Sequence, residues 1–248
     1  MKDRIPFAQF FDIDEVADRS IDQPHMMPSE ETFTYFMKEM DIRKSDHIIC
    51  YDMVGMFTAP RAWFTFKVYG FDNVYVLNGG FPKWVKEALP VEKGDDFTVK
   101  NLKRQKPLDS DFDYKPDKSK VINMDQVLEL SLKKQRKLVE EYIIDCRSAP
   151  RFRAEVEEPR PTLRRGHIEE ADNVFFKDLL DQNWCFKSES EIKAEHVNRN
   201  IDIDRIMTFY CGTGATACVN ILALALLGKF DNCKLYDGSW SEMVKYYV

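Results

Sequence analysis

The stretch IMTFYCGTGATACVNILALALL spans residues 206–227 and decides the fold class of this chain. Residues 206–210 form an apolar run with β-branched and aromatic members, which is typical of a buried strand. Residues 215–227 are mostly apolar and lack glycine and proline, which favours a buried helix. Between them, Gly212 and Gly214 allow a tight turn with inward-pointing N–H groups. A strand, a short loop and a helix in this order predict an α/β fold with a parallel sheet.

A second copy of this pattern lies 159 residues earlier in the chain. At that offset Phe71-Asp72-Asn73 matches Phe230-Asp231-Asn232, and Tyr51-Asp52 matches Tyr210-Cys211. Each copy contains a strand, a loop, a helix, the Phe-Asp-Asn triplet, a short strand, and a glycine turn before an aromatic-bearing helix. We therefore predict a duplicated α/β unit.

Hydrophobic periodicity places further elements in both copies. Strands are predicted at 46–51, 74–77, 142–145 and 206–210. Helices are predicted at 29–40, 60–69, 81–88, 125–134, 189–198 and 215–227. The segment between the copies is rich in Lys, Asp and Pro, which is typical of a linker that wraps the surface. We predict a first unit at 1–91, a linker at 92–120 and a second unit at 121–248.

The first copy is shorter than the second at its start. Gly166-His167-Ile168 with Ala171 matches Asp3-Arg4-Ile5 with Ala8, and in the second copy a helix and a strand precede that point. Their counterparts would lie before Met1, so about 40 residues of a complete unit are expected to be absent. We therefore describe the first unit as shortened at its N-terminus.

The composition of the chain argues against several classes of partner and site. The 36 basic and 42 acidic residues give a net charge of −6, which argues against nucleic acid or an anionic membrane as the main partner. The longest apolar run, 221–227, is far shorter than the roughly 20 residues of a membrane-spanning helix. The six cysteines include no C-x-x-C pair, so we expect a reducing compartment, thiols that are mostly buried, and no metal site.

Cys211 is the candidate nucleophile. The loop formed by Gly212, Thr213, Gly214, Ala215 and Thr216 is expected to form a nest of N–H groups at a helix N-terminus, where anions bind. Such a nest favours the thiolate, which is the nucleophilic form of cysteine. Asp52 occupies the matching position of the first copy, which therefore lacks the thiol, so we expect the first unit to be non-catalytic.

The loop Cys-Gly-Thr-Gly-Ala-Thr-Ala-Cys resembles that of the two-domain rhodanese family, in its mercaptopyruvate sulfurtransferase branch. Leu77-Asn78-Gly79-Gly80 with Trp84, and Tyr236-Asp237-Gly238-Ser239-Trp240, resemble signatures that end each domain in that family. The resemblance implies two tandem rhodanese-like domains with one active site, in the second. The family's usual loop has Ser where this chain has Thr213, which keeps the hydroxyl and adds a methyl group.

The resemblance also implies roles for further residues. Arg151 and Arg160 match the family's two substrate arginines, whose planar guanidinium groups suit a 2-oxo acid carboxylate. Asp14 and His25 match the first members of a proton relay that ends at the loop hydroxyl, here Thr213. Imidazole is the natural proton shuttle near pH 7.

The expected reaction is transfer of sulfur from 3-mercaptopyruvate to Cys211, release of pyruvate, and transfer of the persulfide sulfur to cyanide or a thiol such as thioredoxin. We expect no cofactor, and a cytoplasmic or mitochondrial location. Two alternatives remain open at this point: a thiosulfate sulfurtransferase, and a non-catalytic binding module. A Cys-x5-Arg phosphatase loop is excluded because the sixth residue after Cys211 is Ala217.

Overall fold

The computed structural model describes residues 3–94, 112–160 and 164–246. The first half contains β1 (Asp3–Arg4), α1 (Glu30–Glu39), β2 (Ile48–Cys50), α2 (Ala59–Val68), β3 (Val74–Val76), α3 (Gly80–Lys86) and β4 (Glu92–Lys93). The second half contains β5 (Val121–Ile122), α4 (Met124–Gln135), β6 (Tyr142–Asp145), α5 (Ala149–Phe152), β7 (Ala171–Asn173), α6 (Glu189–Val197), β8 (Met207–Tyr210), α7 (Ala217–Leu226), β9 (Cys233–Tyr236) and α8 (Ser239–Tyr246).

The second unit is built on a five-stranded sheet in the order β5-β9-β8-β6-β7. Every neighbouring pair in it is parallel, with Asp145 of β6 opposite Tyr210 of β8. The carboxyl ends of parallel strands meet at one edge of a sheet, where ligands bind in α/β folds. The segments that follow Asp145 and Tyr210 therefore lie side by side at that edge.

The first unit has a smaller version of the same arrangement. Strands β2 and β3 pair in parallel, with Ile48 opposite Val74. Within the described residues β2 has one strand neighbour, whereas its counterpart β8 lies between β9 and β6. Ile49 on β2 is 64% exposed.

The boundary between the first unit and the linker differs from the predicted one. Strand β4 pairs antiparallel with β1, and the guanidinium of Arg4 donates two hydrogen bonds to Glu92, at 3.3 and 2.9 Å. Glu92–Lys93 is therefore part of the first unit in structural terms. Strands of two residues give no periodic signal, which is why neither β1 nor β4 was predicted.

The end of the linker is anchored in the first unit instead of wrapping its surface. Phe112 and Tyr114 are buried, and the ring of Tyr114 lies 5.3 Å from that of Phe71 and 5.4 Å from that of Phe33. The Tyr114 hydroxyl donates to the carbonyl of Ile42 at 2.7 Å. The prediction of a surface linker was wrong at these aromatics, because abundant charged neighbours dominated the composition. Residues 95–111 lie outside the described residues.

The two units pack through helices α2 and α7. Both helices are buried on nearly every face, apart from Lys67 in α2 and the last two residues of α7. A helix that is apolar all round requires packing on all sides, and a single hydrophobic core cluster includes residues of both units. The packing places the first unit against the loop that precedes α7.

The predicted strands and helices are confirmed, with ends that differ by one or two residues. Helix α7 begins at Ala217, because Ala215 and Thr216 form a turn before it. All six cysteines are free and buried, as expected. None of the described helices is long and apolar enough to cross a membrane.

Candidate active site

The loop at residues 211–216 joins β8 to α7 at the carboxyl edge of the five-stranded sheet. Its turn depends on Gly214, whose φ of +80° lies in the left-handed region and whose added Cβ would come 2.8 Å from the carbonyl oxygen of Asp237. The N–H of Cys211 donates to Ser239 Oγ at 3.2 Å, and its carbonyl accepts from the N–H of Trp240 at 3.1 Å. These contacts fix the backbone of the candidate nucleophile.

The matching loop of the first unit shows what this geometry binds. The carboxylate of Asp52 accepts five backbone N–H groups at 2.7–2.9 Å, from residues 54, 55, 57, 58 and 59. Gly55 has a φ of +130° and stands at the position of Gly214. The first-unit loop is thus an anion nest that its own side chain fills.

In the second unit the same loop begins with Cys211 instead of Asp52. Among the described residues, no hydrogen bond to a protein acceptor is formed by the N–H groups of residues 212–216. The backbone N–H groups that bind the Asp52 carboxylate in the first copy thus have counterparts in the second copy that are available to an anionic side chain at Cys211. The ionised state of Cys211 remains a prediction, and these donors are its physical basis.

A cavity of about 540 Å³ lies over the loop, and Cys211, 2% exposed, contributes to its floor. Nine of the ten predicted site residues line it, and Gly214 is the exception. The nine are Asp14, His25, Arg151, Arg160, Cys211, Gly212, Thr213, Ala215 and Thr216. The remaining wall is largely apolar, and its aromatic members are Phe10, Phe11, Phe57 and Phe176. Both units contribute to the cavity.

The two predicted substrate arginines differ in their surroundings. Arg151 donates to both carboxylate oxygens of Glu158, at 3.1 and 2.5 Å. Glu158 also pairs with Arg147, which in turn pairs with Asp145, so two cations and two anions balance in this buried network. Arg160 forms no ion pair with any described carboxylate. Arg160 therefore provides the cavity's uncompensated guanidinium charge on this side.

The first two residues of the predicted proton relay lie in contact with each other. His25 Nδ1 lies 2.7 Å from Asp14 Oδ1. Burial lowers the pKa of His25 below its ordinary value, the charges of Arg61 and Arg160 lower it further, and Asp14 opposes them. A lowered pKa keeps the imidazole neutral and able to accept a proton over a wider pH range. Thr213 faces the same cavity, but within the described residues no hydrogen bond links it to His25.

The family model of the rhodanese-like domain matches residues 3–87 and 125–246 of this chain. The chain belongs to the rhodanese family. Two separate matched segments confirm the duplicated unit that the repeat predicted, and the rhodanese fold places the Cys211 loop at the end of the second segment's central strand.

The rhodanese relatives are similar along nearly the whole chain. The 3-mercaptopyruvate sulfurtransferase of Escherichia coli K12 is 38% identical over 238 residues, which cover 96% of this chain and 79% of the relative. The thiosulfate sulfurtransferase of Gallus gallus is 35% identical over 240 residues, or 96% of this chain and 77% of the relative. The crystal structure of SseA from Escherichia coli, described as a 3-mercaptopyruvate sulfotransferase, is 37% identical with a TM-score of 0.79 and covers 97% of this chain and 84% of that one.

Sequence reasoning missed two charged residues of this rhodanese site. Glu158 pairs with Arg151, and Arg61 of α2 in the first unit donates to Asp237 of the second unit. The sequence could have indicated the buried role of Arg61, because an arginine within the apolar run Ala-Pro-Arg-Ala-Trp-Phe requires a buried partner. No such indication exists for Glu158, since its neighbours in sequence are as polar as those of a surface residue.

The filled nest of the first rhodanese unit leads to a stability prediction. Replacing Asp52 with alanine is expected to lower the free energy of unfolding by about 2–3 kcal/mol, because five N–H groups lose their acceptor. The Asp52→Asn variant keeps one carbonyl oxygen at this position, so about half that loss is expected. Chemical denaturation measures both, with the exposed Asp72 replaced by alanine as the control. Equal stability of the Asp52→Ala and Asp72→Ala proteins would contradict the nest.

Proposed function

We propose that this protein transfers sulfur from 3-mercaptopyruvate to a thiol or cyanide through a persulfide on Cys211, releasing pyruvate. The observation that carries the proposal is the pair of matched loops: one nest is filled by the Asp52 carboxylate, and in the other Cys211 stands at the position of Asp52, while the N–H groups of residues 212–216 have no acceptor among the described residues. The names of the bacterial relative and of the SseA crystal structure support the same activity.

Donor binding follows from the charges around the cavity. A 2-oxo acid carries a carboxylate and an adjacent carbonyl, both acceptors for a guanidinium fork. Arg160 supplies the unpaired positive charge, while Arg151, held by Glu158 at 2.5 Å, offers only the N–H groups that face away from that carboxylate. The donor's thiol end then points toward Cys211, and the aromatic wall excludes water from the carbon that bears the sulfur.

The first half-reaction exchanges one sulfur bond for another. The Cys211 thiolate attacks the sulfur of the donor, an S–S bond forms, and the C–S bond breaks with its electron pair retained as the enolate of pyruvate. The proton of the donor's thiol passes to the enolate carbon. His25 lies in the cavity with Asp14 behind its Nδ1, so we assign it the transfer of this proton, with Thr213 as the hydroxyl nearest to the nucleophile in sequence.

The second half-reaction returns the enzyme to its starting form. An acceptor thiolate or cyanide attacks the outer sulfur of the persulfide, and the departing Cys211 thiolate is again received by the N–H groups of the nest. A small thiol and thioredoxin both have this chemistry, and we propose thioredoxin as the protein acceptor. Among the described residues no cluster of His, Cys, Asp or Glu has the arrangement of a metal site.

The experiment that tests this function is intact-protein mass spectrometry after mixing with 3-mercaptopyruvate. The expected result is a gain of one sulfur atom on the peptide that contains Cys211, reversed by cyanide with formation of thiocyanate. A gain with thiosulfate but none with 3-mercaptopyruvate would identify a thiosulfate sulfurtransferase. No gain with either donor would identify a non-catalytic module.

We also propose that the first unit, predicted at 1–91 and extended by the pairing of Glu92–Lys93 with β1, is non-catalytic. A linker follows it up to residue 120, and the unit at 121–248 is catalytic. A cytoplasmic or mitochondrial location remains a prediction.

A further inference from the structure

Arg61 is a fully charged side chain buried between the two units. It belongs to α2 of the first unit and is 2% exposed. Its Nη1 donates to Asp237 Oδ1 of the second unit at 2.6 Å and lies 3.5 Å from the carbonyl oxygen of Gly214. Its Nη2 donates to the carbonyl oxygen of His25. One guanidinium thus contacts the loop of the predicted proton shuttle and the catalytic unit together.

Asp237 completes a clamp around the His25 loop. Its Oδ2 accepts the N–H of Met27 at 2.5 Å, and its own carbonyl packs against the turn at Gly214. The Arg61–Asp237 pair therefore holds the backbone on both sides of Met26, at His25 and at Met27. His25 itself has a φ of +61°, an uncommon conformation for a residue with a side chain, which persists when the surroundings impose it.

The internal repeat shows that the pair is specific to the catalytic side. At the offset of 159 residues, Arg61 corresponds to Asn220 and Asp237 corresponds to Asn78. Asn220 donates to Val174 within its own unit, and Asn78 accepts the N–H of Phe186 across the interface. Neutral amides therefore occupy the symmetry-related positions. A buried ion pair adds little net stability over neutral groups, so packing of the units does not explain the charges on one side.

We propose that Arg61 and Asp237 are positioning residues that hold His25 of the first unit over Cys211 of the second. This inference rests on the proposed function, because it assigns the pair a role in the proton transfer that 3-mercaptopyruvate requires. Thiosulfate has no thiol proton, and its sulfite leaves without protonation at carbon. Displacement of His25 should therefore lower the rate of sulfur transfer from 3-mercaptopyruvate and leave the rate with thiosulfate nearly unchanged.

The electrostatics agree with this geometry. Besides burial, the groups that act on the pKa of His25 are Asp14, which raises it, and Arg61 and Arg160, which lower it. Removing the charge of Arg61 should raise the pKa of His25. Because the neutral imidazole is the form that accepts the proton, the acid limb of the rate profile should then move to higher pH.

The test uses Arg61→Lys and the double variant Arg61→Gln/Asp237→Asn. Lysine keeps the charge but has no planar fork to contact Asp237 and His25 together, and the double variant removes both charges so that neither is left unpaired. For both, we expect kcat with 3-mercaptopyruvate to fall about tenfold to a hundredfold with little change in KM. Persulfide formation from thiosulfate should stay within about threefold, and in the double variant the acid limb should move up in pH.

The control is Arg199→Lys, since Arg199 pairs with Asp178 and Glu195 and does not line the cavity; its kinetics should match those of the parent protein. Folding is checked by thermal melting of every variant. The inference is wrong if both variants of the clamp keep the parental kcat and pH profile. It is also wrong if the rates with 3-mercaptopyruvate and with thiosulfate fall equally. The proposed function is tested separately on the parent protein: it is wrong if the unmutated chain gains no sulfur from 3-mercaptopyruvate.

Discussion

Replacing Cys211 with serine is expected to abolish persulfide formation and to reduce sulfur transfer from 3-mercaptopyruvate by at least about a thousandfold. A serine hydroxyl stays protonated near neutral pH, even at the start of a loop whose N–H groups have no described acceptor, and cannot form the S–S bond. The measurement combines the steady-state rate of pyruvate release with the intact mass of the protein after exposure to the donor. The melting temperature should stay close to that of the parent protein, because the two side chains differ little in size.

Cys185→Ser is the matched control for this variant. Cys185 is also free and buried, but it does not line the cavity over Cys211. The Cys185→Ser protein should retain its rate and still gain one sulfur atom. A Cys211→Ser protein with parental activity would show that another group carries the sulfur and would remove the nest from the mechanism.

Replacing Arg160 with glutamine is expected to lower kcat/KM for 3-mercaptopyruvate about a hundredfold or more, while kcat/KM for thiosulfate falls about tenfold or less. Arg160 lines the cavity without a described carboxylate partner, so its positive charge is available to the carboxylate of the donor. Thiosulfate is attracted to the same charge but has no carboxylate and carbonyl pair for a planar fork. Steady-state kinetics with both donors measure the difference.

Arg165→Gln provides the control, because Arg165 is an exposed arginine nearby whose Nη1 lies 3.5 Å from Glu157 Oε1. It should change kcat/KM for either donor by less than about threefold. Equal losses for the two donors in the Arg160→Gln protein would exclude Arg160 from carboxylate recognition. Arg151 is a poorer test of the same question: its removal leaves Glu158 buried beside Arg147 with one partner fewer, so a loss of activity would report on folding as well.

The fold could be predicted because one pattern occurs twice. The strand, loop and helix around Cys211 and around Asp52 have strong apolar periodicity, and their matched spacing identified the duplicated unit. The strands β1, β4 and β5 could not be predicted, since each has two residues and forms only because a partner strand is nearby in space. Packing of Phe112 and Tyr114 against the first unit was hidden for a similar reason, as local composition carries no information on distant partners.

The candidate site was predicted at the level of residue types, and the structure adds their pairings. Nothing in the order Glu158, Pro159, Arg160 shows that Glu158 holds Arg151 and leaves Arg160 unpaired. The link from Arg61 to His25 and Asp237 likewise joins three positions that are far apart in the chain. Such contacts depend on how the units pack, and a single sequence does not specify that packing.

The carboxylate of Asp52 has a consequence for how the protein should be titrated. The duplication produced two copies of the loop. In the first copy the Asp52 carboxylate, which belongs to the chain itself, already occupies the anion site at 2.7–2.9 Å from the backbone N–H groups. Sulfite, or another inhibitory anion that binds backbone N–H groups of this kind, should therefore bind at one anion for each protein chain, although the chain contains two copies of the loop.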